Sequence, residues 1–190
     1  MDIDIDTPSK FIAATIFSNT VKASIFDGTK ITPHPCGVYF QEMPVDIMTN
    51  LAAIPYDTAE DLGYTKIDFL HLRVYDHFKN RKEIEDMTKQ STPWQLLLLP
   101  SVVEKLFQLS KHGELLKKLK PASTLELADA LALIRPGKSD LLPIYLKNKD
   151  VARKLLYAKE ETGYSFKKSH AIAYAMVVEL QLKLADLDRL

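Results

Sequence analysis

"MDIDID", residues 1–6, alternates Asp2, Asp4 and Asp6 with Ile3 and Ile5. Alternation of period two marks a strand, with same-face side chains about 6.5–7 Å apart. Three carboxylates on one face repel each other, which raises their pKa values unless cations stand there. Two carboxylates at this spacing suit a pair of divalent ions about 3.5–4 Å apart. A frayed, solvated acidic N-terminus is the plain alternative. "YTKIDFL", residues 64–70, alternates in the same way, with Lys66 and Asp68 on one face and Ile67 and Phe69 on the other. A lone charge on an apolar strand is costly, which makes Asp68 the best candidate for a third carboxylate. Hard oxygen donors select two magnesium (or manganese) ions. Such a set belongs to two-metal nucleotidyl transfer, where one ion activates a hydroxyl and the other holds the triphosphate.

Working outward, the rest of the first half reads as mixed α/β. "PSKFIAATIFSN" predicts a helix, "VKASIF" and "GVYFQ" predict strands, and "DG" at 27–28 predicts a turn. The second half reads as helical. Apolar spacing predicts one helix across 71–89 and another across 101–120, interrupted at Gly113. Ser123 and Glu126 form a capping-box pattern ahead of "LELADALALI". A short helix from Asp150 is expected to stop at Gly163, and a long apolar helix closes the sequence. The fold class is therefore α+β, with an α/β part over 1–78 and a helical part over 79–190.

The 190 residues carry no net charge, but the halves differ. Residues 1–98 hold nine basic and fourteen acidic residues, a net of −5, and residues 99–190 hold sixteen and eleven, a net of +5. That asymmetry fits a metal site facing a polyanion, or two lobes that attract each other. No apolar run approaches the roughly 18 residues that span a bilayer, so no membrane partner is expected. Cys36 is the lone cysteine, which excludes an internal disulfide and a cysteine-based zinc site. A cytoplasmic setting follows.

Five stretches, in order, resemble the bacterial C-family replicative DNA polymerase, the polymerase III alpha subunit. "MDIDID" is similar to that family's P-D-x-D-x-D, and "HPCGVYF" to its H-A-A-G-V-V. "DTAEDLGYTKIDFLHL" is similar to the stretch ending G-L-x-K-F-D-F-L-G-L. "LFQLSKHGELLKKLKPASTLELADALALIRPGK" resembles the F-Q-L-E-S to R-P-G-P block, and "TGYSFKKSHAIAYAMV" resembles Y-G-F-N-K-S-H-A-A-A-Y-A. The resemblance implies a polymerase-beta-like nucleotidyltransferase palm sheet, followed by parts of the helical fingers and thumb. It assigns Asp2, Asp4 and Asp68 as catalytic metal ligands. Lys66, Arg135, Lys167, Lys168 and His170 become the nucleotide- and phosphate-binding residues.

The departures bear on function. The family's glycine-serine loop, which holds the triphosphate ahead of the aspartates, is not among these residues. About 25 residues separate "RPGK" from "GYSF", with neither the R-R nor the G-K-K of the fingers. The expectation is a reduced or split DNA polymerase, of the kind a compact viral genome encodes and a host cytoplasm would contain. It would transfer a deoxynucleotide from dNTP to the 3′-hydroxyl of a primer-template, with a second polypeptide supplying the missing loop and fingers. The alternative is a non-catalytic polymerase-derived module that binds DNA or a replisome partner.

Overall fold

The computed structural model describes residues 2–8, 10–158 and 166–190. It divides into two compact units, Met1–Asp76 and His77–Leu190. The first is built on a four-stranded mixed sheet. Strand β1 (Asp2–Thr7) is followed by a short helix α1 (Ala13–Ile16), then β2 (Val21–Phe26) and β3 (Ile31–Tyr39). Helix α2 (Tyr56–Asp61) leads into β4 (Lys66–His71). The spatial order is β1-β4-β3-β2. β1 runs parallel to β4, while β3 is antiparallel to both of its neighbours.

Period-two patterning distributes this unit's apolar residues over both faces of the sheet. Val38 packs with Ala13 and Phe69, with Phe11 and Ile67 against them. Its chain neighbour Tyr39 joins Ala23, Ala52 and Ala59 in a separate cluster. Phe11 and Phe69 stack with ring centroids 4.9 Å apart. β1 is an edge strand, and charges along an edge discourage pairing with another chain. Its alternating aspartates therefore have a structural use beside any chemical one.

The helical unit contains α3 (Arg81–Thr88), α4 (Pro100–Val103), α5 (Gly113–Leu119), α6 (Thr124–Leu133), α7 (Leu142–Lys147), α8 (Lys149–Leu156) and α9 (Lys168–Asp186). Every residue of α6 from Leu127 to Leu133 is buried, as expected of a helix packed on all sides. Leu127 and Leu131 join Ala171, Ala175, Val178 and Leu182 of α9 in the main core. Asn148 caps α8 by accepting from the Asp150 and Val151 N–H groups. Among the described residues, no helix is long and apolar enough to cross a membrane.

Three expected helices differ. "PSKFIAATIFSN" contributes only the four residues of α1. Its Ile12 and Ile16 stay exposed, so the segment has no buried stripe to prolong it. The span 71–89 splits into a 3-10 turn (Arg73–His77) and α3, because the Asn80 side chain accepts from the Glu83 N–H and starts a new helix. The span 101–120 is broken from Glu104 to His112, where Gln108 takes the left-handed conformation at φ 57°. Leu106 and Leu109 are buried from turns rather than from helix. The capping box forms with a one-residue offset. Ser123 accepts from the Glu126 N–H at 3.3 Å, and Glu126 reaches back to the Ala122 N–H at 2.9 Å. The expected stop at Gly163 lies outside the described residues.

Candidate metal and nucleotide site

In the sheet unit, parallel pairing sets Asp2 beside Lys66 and Asp4 beside Asp68. Registered neighbours in a sheet share a face, so Asp4 and Asp68 project on the same side. Asp4 is exposed, and Asp2 is described through its backbone register alone. Asp6, one step further along that face, accepts a 3.1 Å hydrogen bond from the Tyr75 hydroxyl. Desolvation raises the Asp6 carboxyl above its ordinary range, the Tyr75 bond opposes that rise, and the Asp4 charge adds to it. Burial and the Asp6 charge also push the Tyr75 hydroxyl up.

Asp68 is held from β3 and β4 together, with its side chain 13% exposed. Its Oδ2 accepts from Lys66 Nζ at 2.5 Å. Lys66 is itself buried, and its Nζ lies 5.6 Å from the centroid of the Tyr56 ring. The other oxygen, Oδ1, is buried and makes no hydrogen bond. His34 Nδ1 lies 3.8 Å from it. That nitrogen accepts the Gly37 N–H at 2.9 Å, so it carries no proton of its own. Cys36 Sγ lies 3.9 Å from the same nitrogen. Desolvation first, and the Asp68 charge second, push the Cys36 thiol up. Lys22 donates to the Pro35 carbonyl at 3.2 Å, and burial lowers its ammonium pKa against the pull of Cys36 and Asp68.

Gly37 faces Asp68 directly across the β3–β4 pairing. A Cβ there would stand 2.8 Å from His34 Nδ1, 2.8 Å from Lys66 Cδ and 2.9 Å from Asp68 Oδ1. Only glycine leaves that space clear. Among the described residues, His34, Cys36 and Asp68 bring one ligand atom each within 4.8 Å of one another. Sequence reasoning gave His34 no role of its own and read Cys36 as the lone cysteine and as part of "HPCGVYF". The available signal was the spacing H-x-C-G, which lies within β3.

The remaining candidates belong to the helical unit. Arg135 follows α6, with its guanidinium carbon 4.1 Å from the Phe166 ring centroid. It donates to Gln108 Oε1, and its Nε is buried without a hydrogen-bond partner. Lys167 is the cap residue of α9 and Lys168 its first residue, both exposed, with His170 half-buried in the first turn. No acidic residue stands in that first turn. Lysines at a helix N-terminus oppose the helix dipole unless an anion joins them.

This unit also holds a carboxylate that sequence reasoning missed. Asp129, fully buried in α6, accepts from the Tyr145 hydroxyl at 2.8 Å, Arg153 Nε at 2.8 Å and the Tyr157 hydroxyl at 3.0 Å. With three donors in place it is a structural anchor.

Three comparisons bear on these residues. The family model for the bacterial DNA polymerase III alpha subunit finger domain matches residues 45–188. That span takes in Lys66, Asp68, Arg135, Lys167, Lys168 and His170, and starts after Asp2 and Asp4. DNA polymerase III subunit alpha of Aquifex aeolicus is 33% identical over 157 residues, covering 70% of this chain and 13% of that protein. DNA polymerase III subunit alpha of Halalkalibacterium halodurans is 25% identical over 149 residues, 65% of this chain and 13% of the relative. The chain thus aligns with about an eighth of the length of each.

Proposed function

The chain belongs to the bacterial DNA polymerase III alpha family, and on that premise we propose that it takes part in two-metal transfer of a deoxynucleotide to a DNA 3′-hydroxyl. Asp2, Asp4 and Asp68 would hold two Mg2+ or Mn2+ ions, on a sheet that serves as a polymerase-beta-like palm. The observation that carries the reading is the in-register pairing of Asp4 with Asp68 on adjacent parallel strands. Exposed carboxylate oxygen on Asp4 is the hard donor that such ions take. When bound, they supply charge neutralisation for the attacking hydroxyl and the leaving group. Lys66 fixes the orientation of Asp68 through Oδ2, so its remaining oxygen keeps one direction.

Phosphate would be met in the sheet unit by Lys66 and in the helical unit by Arg135, Lys167, Lys168 and His170. The lysines at the start of α9, with no acidic residue in its first turn, support that assignment, since an anion there relieves their conflict with the helix dipole. Primer-template DNA and dNTP are the proposed partners, in the cytoplasm (a host's, for a virus-encoded form).

A second reading has its own observation. Lys66 already neutralises Asp68 at 2.5 Å, which lets this face persist with no ion, as in a non-catalytic module that binds DNA or a replisome protein. Primer extension with Mg2+ or Mn2+ separates the two. The catalytic reading requires extension by the wild-type chain, alone or with a complementing polymerase fragment, and its loss in Asp4→Ala and Asp68→Asn. Extension that survives both substitutions removes the assignment, and DNA retention without extension supports the module.

A further inference from the structure

We propose that His34, Cys36 and Asp68 form a site for a single Zn2+-class ion, which shares Asp68 with the proposed carboxylate pair and adds nitrogen and sulfur donors to it. The donor set is one imidazole nitrogen, one thiol sulfur and one carboxylate oxygen, which suits a borderline ion and not magnesium. Zinc bonds of about 2.0–2.3 Å in tetrahedral geometry put ligand atoms about 3.3–3.8 Å apart. The Nδ1–Oδ1 and Sγ–Nδ1 distances are 3.8 and 3.9 Å. Those two sides are within about half an ångström of zinc spacing, and the third, Sγ–Oδ1, is no longer than 4.8 Å.

Two further observations point to a ligand. Asp68 Oδ1 is buried and accepts no hydrogen bond, which is costly for a carboxylate oxygen left without a cation. Gly37 keeps side-chain atoms out of the space beside Nδ1 and Oδ1. Lys66 on Oδ2 is the outer partner that a ligating carboxylate ordinarily has. Cys36 also lines a surface cavity of about 290 Å3. On binding, the Cys36 thiol gives its proton to solvent and His34 exchanges the Gly37 N–H for the ion. The fourth position is left to water. The lone cysteine that counted against zinc in the sequence is sufficient here, because the other two donors come from neighbouring strand positions.

The test reads metal binding and not nucleotidyl transfer, so a failed primer extension leaves it standing. Co2+ titrated into the full chain should give a thiolate-to-cobalt charge-transfer band. Zn2+ should abolish the band, and a hundredfold excess of Mg2+ should leave it. Cys36→Ser should remove the band, and His34→Ala and Asp68→Asn should each weaken Co2+ binding at least tenfold. Absence of the band in the wild type overturns the proposal. So does a band that survives Cys36→Ser, or one indifferent to both His34→Ala and Asp68→Asn. Should Cys36→Ser fold poorly, alkylation of Cys36 in the wild type decides. Saturating Zn2+ should slow it at least tenfold, and an unchanged rate overturns the site.

Discussion

Asp129 in the helical unit accepts three hydrogen bonds, from Tyr145, Arg153 and Tyr157, and has no lone oxygen left over. Asp68 in the sheet unit accepts one, from Lys66, and leaves Oδ1 buried without a donor. Both carboxylates are withdrawn from water. The first is saturated, which is how a buried charge is made tolerable. The second is held by one oxygen and leaves the other available. A satisfied network fixes a core; an unsatisfied oxygen beside a glycine-cleared space is where a ligand finds its free energy.

Substitution by asparagine is the sharpest way to break this comparison. Asp129→Asn keeps one acceptor oxygen but sets amide N–H groups against the donors on the other, and strips Arg153 of its counter-charge. It should cost about 3–5 kcal/mol in urea unfolding. Asp68→Asn keeps an acceptor for Lys66 and can turn its N–H groups toward His34 Nδ1, so it should cost about 1–2 kcal/mol. Equal losses at the two sites would mean that Oδ1 is not spare.

A smaller effect comes from the glycine. Gly37→Ala pushes a methyl group against His34, Lys66 and Asp68 at under 3 Å, and should cost about 1–3 kcal/mol by overpacking. The same variant should lose Zn2+ binding, which sharpens the contrast with Asp129. Among the described residues no glycine clears space around Asp129, and no ion is expected there.

The smallest effect is electrostatic. The Asp6 carboxyl is raised in the folded chain, so the folded state binds a proton more readily than the unfolded one. Its contribution to stability is fully present below the unfolded value of 3.8 and is lost as pH rises through the folded value. Asp6→Asn should therefore raise the melting temperature slightly at neutral pH, and the gain should vanish as pH falls below about 4. Tyr75→Phe removes the bond that lowers this carboxyl, and should move the Asp6 titration upward in a carboxyl NMR experiment. A downward shift would show that the tyrosine does not stabilise the charged form.

How much was legible varies with the residue. β1, β2 and β4 were readable because period-two alternation persists over four or more residues. The Ser123 cap and α9 were readable because local hydrogen bonding and apolar content fix them. The 101–120 stretch misled because leucines spaced for a helix bury equally well from turns, and nothing in "LFQLSKHG" announces the left-handed Gln108. Asp129 was invisible inside "LELADALAL", since its three donors come from α7 and α8 and the segment that follows α8.

The sequence by itself determined the family and the alternating carboxylate strands. These depend on residue type and spacing along one chain. Only the tertiary structure decided that β1 runs beside β4 in parallel, with Asp4 opposite Asp68. It alone brought His34, Cys36 and the uncovered Asp68 oxygen together under Gly37. The physical reason is that strand neighbours are chosen by which apolar faces bury together, and the donors left facing one another follow from that choice.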